Sequence, residues 1–307
     1  MRTALAVAIG CILASGGVLL AANHVRQDDR TAHIAPAAAL AGDAERAIGP
    51  VASQPSIFDA SRSDIASNAV QDYEYYPYDA RLTFVRIRPA DARGNRGGWG
   101  FRGRGDPPWR HDYPSAEHNL SKILRELTFV RVRVEDYGGN ILTLEDPRLM
   151  QFPVAYMSEP GFWTVTSEEA DALRAYLLKG GFIIFDDFGG NQGRNDMRNL
   201  AEQMARVLPE LQWVRLDSTD EIFDSFFQLD PDNLELAATD ASYRGVPVFY
   251  GLYENNDREN GRLIVIAGDA GDFGEFWEFS ERGYYPFDIS NEAYKVGINY
   301  IVYALTH

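Results

Sequence analysis

Cysteine is almost absent. Of 307 residues only Cys11 carries a thiol, and it lies within an apolar stretch near the N-terminus. The rest of the chain therefore has no disulfide, no zinc-thiolate centre and no thiol nucleophile. Because Cys11 sits inside that stretch and not at its end, a lipoprotein acceptor role does not fit it either. Histidine is scarce as well. Only His111, His118 and His307 lie beyond residue 70, which turns any metal site towards hard, oxygen-bound cations and away from zinc. Positive charge is the minority sign, 29 Lys and Arg against 45 Asp and Glu. The imbalance is regional: residues 81–134 hold 12 basic against 5 acidic side chains, a balance of +7, and residues 135–307 hold 12 against 31, a balance of −19. A field of that sign repels phosphates, so no nucleic-acid partner is expected. An acidic surface of this kind keeps an exported protein soluble, and a cation site or a basic partner would use the same charge.

What is present first is an N-terminal run. After Met1 and Arg2, residues 4–22 (ALAVAIGCILASGGVLLAA) carry no charge for 19 residues. That length spans a bilayer. It also suits a secretory signal, for which Ala21, Ala22 and the alanines of 37–41 supply small residues near a cut. The usual signal centre is roughly 7–15 residues, so an uncleaved anchor is favoured. Either way the remainder is expected to be exported, facing the periplasm from the membrane or free within it. Residues 23–70 are rich in Ala, Ser, Asp and Gln, too poor in apolar area to offset ordering entropy, and read as a flexible tether. Residues 71–307 hold all five tryptophans and suffice for a single α/β domain.

Within that domain strand-like and helix-like segments alternate. Strands are predicted at 82–88 (LTFVRIR), 129–134, 152–157 (FPVAYM), 182–185, 213–216, 246–253 and 263–267, and helices at 117–127, 166–178, 196–208 and 293–305. Ser115 is a candidate cap for the first helix. The run TSEE at 166–169 carries the capping signature for the second, which Gly180 and Gly181 end. Phe182 to Phe185 are four consecutive apolar residues, the pattern of a central strand covered on both faces. The alternation argues for a doubly wound, mostly parallel sheet flanked by helices. Ligands of such sheets bind beyond the carboxyl ends of the strands, which here carry Glu159, Asp186, Asp187 and the stretch from Asp269 to Asp272.

Several segments, LTFVRIR, GGWGFRGRGDPPWRHDYPSAEHNL, YMSEPGFWTVTSEEADALRAYLLKGGFIIFDDF, EIFDSFF and YKVGINYIVYALTH, resemble in one order domain-of-unknown-function family 4159, over about residues 80–307. The resemblance implies a flavodoxin-like sheet of the class I glutamine amidotransferase type. It also implies an exported or membrane setting and, as partners, envelope proteins such as MoxR-type ATPases and von Willebrand A-domain proteins. It brings no reaction. Amidotransferases of that class place a Cys on a tight elbow, G-x-C-x-G, with a His and a Glu later in the chain. The matching strand end here reads Phe185-Asp186-Asp187-Phe188-Gly189, with neither Cys nor Ser. Cys-His amide hydrolysis is therefore not expected.

The candidate site residues fall in three places. Asp186 and Asp187 hold Mg²⁺ or Ca²⁺, or supply a base, in one reading; in the other, one caps the following helix and the other meets Arg194 or Arg198. Since alternate strand residues face opposite ways, only one of the two is expected to point into the crevice. Asp269 and Asp272 open an acidic stretch that fails the EF-hand pattern; it reads as a loop with Phe273, Phe276 and Trp277 partly packed, or as a nonstandard cation site joined to Asp186 and Asp187. Trp277 among carboxylates also suits a sugar face. The long segment 94–114 offers Arg102, Arg104, Trp109, Arg110, His111, Asp112 and Tyr113 as contacts to an anionic ligand, or as arginines folding onto the acidic body. His111 alone, one histidine beside a turn, reads as structural before catalytic. Two functions stay open: a non-catalytic ligand- or protein-binding module of an envelope assembly, and a metal-assisted hydrolase of envelope glycans or peptides built on Glu159, Asp186 and Asp187, with Asp269 as a further candidate. No cofactor is expected beyond a divalent cation. A purely structural protein would instead fill the crevice with aromatic side chains.

Overall fold

Strand and helix alternate because the apolar pattern alternates between periods of two and of three to four. The computed structural model describes residues 73–90, 107–189, 196–234 and 247–307, all within the unit spanning Ala69–His307. The expected anchor, the tether, Arg102 and Arg104 lie outside the described residues. Seven strands form one sheet: β1 (Val85–Ile87), β2 (Asn140–Leu142), β3 (Val154–Ser158), β4 (Phe182–Asp186), β5 (Val214–Arg215), β6 (Val248–Tyr253) and β7 (Leu263–Asp269). Their order is β2-β1-β3-β4-β7-β6-β5. The first five are parallel, while β6 runs antiparallel to β7 and β5 antiparallel to β6. The chain is an α/β protein with a mostly parallel sheet.

Alternate residues of the central strands feed two cores. Tyr156, Phe182 and Ile184 pack on one face, beneath α1 (Ser115–Leu127), α4 (Phe273–Phe279) and α5 (Phe287–Thr306). Ala155, Met157, Ile183 and Phe185 pack on the other, beneath α2 (Ser167–Leu178) and α3 (Asp196–Val207). Thr166 and Glu169 close the reciprocal capping box at the start of α2. Among the described residues no helix is long and apolar enough to cross a membrane.

Three expectations are corrected. Residues 129–134 form no strand; Val132 makes only an isolated bridge to Leu82, and the neighbour of β1 is the short β2 instead. Asn140 opens β2, a buried polar residue whose side-chain amide exchanges hydrogen bonds with the backbone of Tyr76. Ser115 does not cap α1, because Pro114 already holds helical angles at the N-cap. The acidic stretch after β7 is a helix and not a loop, with Asp272 accepting from the Glu275 amide as its N-cap. Its Phe273, Phe276 and Trp277 recur at helical spacing and are buried.

Candidate functional site

Four segments that follow parallel strands each hold a non-glycine residue in the left-handed region: Asp112 (φ 64°) beyond β1, Glu159 (φ 54°) after β3, Asp187 (φ 61°) after β4 and Ala270 (φ 63°) after β7. Each such residue costs of the order of 1 kcal/mol and persists only where its surroundings hold it. The turns are tied sideways, the Glu159 amide donating to the Asp186 carbonyl at 3.0 Å and the Phe188 amide to the Gly271 carbonyl at 2.9 Å.

The segment before α1 is held from beneath. Arg86, an arginine inside an apolar strand and 1% exposed, donates from Nη1 to the carbonyls of Trp109 and His111, both at 2.9 Å. Its Nε pairs with buried Glu117, and its guanidinium lies 4.8 Å from the Tyr156 ring centre. Thus anchored, His111 brings Nδ1 to 2.9 Å from Glu159 Oε1 and 3.4 Å from Asp187 Oδ2. Ser158 donates to the same Asp187 oxygen at 3.3 Å. Burial works against a charged imidazole, but the hydrogen bonds to Asp187 and Glu159 outweigh it and push His111 up to about 10. The ring is a cation at neutral pH and no general base.

The adjacent aspartates part company. Asp186 follows the alternation of β4 towards α4 and accepts from the amides of Phe273 (3.2 Å) and Gly274 (2.9 Å) and from the Tyr156 hydroxyl (2.9 Å). Burial raises its carboxyl, with those three donors opposing. It caps a helix, as one reading anticipated, but α4 and not the helix that follows it in sequence. Asp187, turned by its positive φ, meets His111 and Ser158, while Arg194 lies outside the described residues. Asp112 follows His111, and burial together with the charges of Asp272, Asp187 and Glu275 holds its carboxyl well above the usual range. Its Oδ2 is buried and accepts no hydrogen bond.

Single ligand atoms from His111, Glu159 and Asp187 lie within 4.8 Å of one another, as do atoms from Asp112, Asp187 and Asp272, and from Asp112, Glu275 and Glu278. Of the four aspartates expected to share a cation, Asp187 and Asp272 are thus together. Asp186 is taken up by backbone amides. Asp269, raised by burial, belongs to none of these groups among the described residues. Trp277 is 1% exposed and packs against Tyr156 and the face of Gly297, so no sugar reaches it. Trp109 is buried too, edge-on to Tyr73, while the half-buried Arg110 lies 5.9 Å from the Tyr113 ring centre. Arg86, Glu117, Ser158 and Tyr156 lie outside the residues that the sequence singles out, and His111 carries little weight there. An arginine amid the apolar letters of β1 was the one available signal.

Fold and site together define an α/β domain whose parallel strands end in a carboxylate-rich cluster around one histidine. Residues 101–305 match the family described as Domain of unknown function (DUF4159), and the chain belongs to that family. No curated protein matches it.

Proposed function

We propose that the protein is an exported or membrane-anchored, amidotransferase-like domain that works without covalent catalysis, binding a ligand or protein partner of an envelope assembly in the crevice at the carboxyl ends of β1, β3 and β4. The observation that carries the reading is the exit of β4. Asp187, at φ 61° immediately beyond β4, occupies the strand exit at which hydrolases of related architecture hold their nucleophile, and it is a carboxylate paired with a histidine cation. Neighbouring Ser158 donates to that carboxylate and not to an imidazole nitrogen, so no activated hydroxyl arises. The order β2-β1-β3-β4-β7 supports a flavodoxin-like classification, since it follows the 2-1-3-4-5 arrangement with its switch point between β1 and β3. The apolar run at 4–22 supports a membrane or periplasmic setting, and the family resemblance supports MoxR-type ATPase and von Willebrand A-domain partners.

The test is capture from solubilised membranes with the full chain against Glu159→Gln and Asp187→Asn. The reading expects the partners held by the parent to be lost in both variants while near-ultraviolet circular dichroism stays that of the parent. Retention of every partner by folded variants would move the binding surface elsewhere.

A second reading, metal-assisted hydrolysis of envelope glycans or peptides, is favoured by the three groups of convergent ligand atoms. It expects divalent-cation-dependent release of fragments from purified envelope material.

A further inference from the structure

The geometry points to a hard divalent cation, calcium before magnesium, bound by the carboxylates of Asp112, Asp187 and Asp272 beside the His111–Glu159 pair; this rests on the reading that the strand-end crevice is the working site. Three independent elements deliver these ligands: the segment before α1, the exit of β4 and the cap of α4. One oxygen from each lies within 4.8 Å of the others. That is close enough for one cation to reach all three, since calcium's oxygen ligands stand at about 2.3–2.6 Å and lie up to about 5 Å apart across the ion.

Carboxylates grouped together are common without an ion, so the assignment needs a separate observation, and Asp112 supplies it. Its Oδ2 is buried with no donor, and a buried, unpartnered carboxylate oxygen is a costly group that a cation satisfies. Space for that oxygen comes from Gly274 at the start of α4: a Cβ there would stand 2.5 Å from Asp112 Oδ2 and 2.9 Å from the Tyr156 hydroxyl. The ligand chemistry favours a hard cation, since the described residues include no thiolate and the Nδ1 of the imidazole beside the trio already contacts Glu159 and Asp187. Asp187 belongs both to this trio and to the group with His111 and Glu159, so the histidine orients a ligand as a hydrogen-bonded outer partner does.

The experiment is calorimetric titration of the full chain with CaCl₂, MgCl₂ and MnCl₂, paired with thermal melts. Saturable calcium binding is expected in the parent, with a melting temperature raised by at least about 4 °C at saturation. Asp112→Asn, nearly isosteric, and Asp187→Asn are expected to weaken binding at least about tenfold, and Gly274→Ala to do the same by displacing the Asp112 carboxylate. Asp269→Asn, outside the cluster, is expected to bind as the parent does. No saturable heat from any of the three cations, or undiminished binding in both Asp112→Asn and Asp187→Asn, overturns the assignment. The outcome is separable from the binding-module reading: partner capture lost in Glu159→Gln without any cation heat retains the crevice and rejects the ion, and cation binding with partner capture unaffected does the reverse.

Discussion

His111 and Glu159, brought from different segments, meet with Nδ1 2.9 Å from Oε1, and the hydrogen bonds to Asp187 and to Glu159 together make the histidine a resident cation of the crevice. An imidazole titrating at 6.5 in the unfolded chain and at about 10 in the folded one binds its proton more tightly when folded. Its stabilisation is complete below about pH 6.5, falls as pH rises, and is gone above about 10. His111→Gln is expected to lower stability by about 1–2 kcal/mol near neutrality, a value reduced by the one-third exposure of the ring. The check is the melting temperature of both proteins from pH 6 to 10: the parent's advantage should shrink steadily, and an advantage that stays flat or grows would contradict the pairing.

Glu117→Ala leaves the Arg86 guanidinium buried without its charge partner and is expected to cost about 3–5 kcal/mol. Replacing both members, Arg86→Met with Glu117→Leu, should recover much of that loss. The double variant also removes the donor to the Trp109 and His111 carbonyls. Urea unfolding is therefore expected to show near-parental stability in the double variant, while calcium binding and partner capture remain impaired. A double variant normal in all three would deny Arg86 any part in placing the site.

The positive φ of Asp187 gives a substitution series. Asparagine and glycine tolerate the left-handed region; alanine and valine do not. Thermal unfolding should rank Asp187→Gly and Asp187→Asn above Asp187→Ala by about 1 kcal/mol, with Asp187→Val lowest. If alanine equals glycine, the turn has another conformation.

Asp186 is expected to matter for stability more than for ligand. Asp186→Ala leaves two buried amides and the Tyr156 hydroxyl without their acceptor, a loss of about 2–4 kcal/mol. Asp186→Asn keeps one acceptor oxygen and should lose about half as much. Denaturant midpoints measure both, and an unchanged midpoint for alanine would return Asp186 to the list of ligands.

Legibility in the sequence followed how local each determinant is. The start of α2 was readable because Thr166 and Glu169 satisfy each other within one turn. The core of β4 was readable because four apolar letters in a row are covered on both sides wherever they lie. β2 was not: its three residues are held by parallel pairing to β1 and by the Asn140 side chain on Tyr76, both remote in sequence. The letters of α4 fit an acidic loop equally well, since Asp272 and Glu275 look alike as surface charge and as a capping pair. Burial of Phe273, Phe276 and Trp277 on the sheet decides for the helix.

The sequence by itself determined the class of fold, the membership of the family and the edge of the sheet where carboxylates collect, because periodicity and the residues ending each strand are local properties. It also excluded a thiol nucleophile by composition alone. Which carboxylates face one another was decided only in three dimensions. Asp186 and Asp187 are neighbours in the chain, yet one is claimed by amides 87 and 88 residues further on and the other by a histidine arriving from beyond β1. Left-handed turns, and a buried arginine holding the carbonyls of Trp109 and His111, set those directions, and neither depends on residues near enough in sequence to be read together.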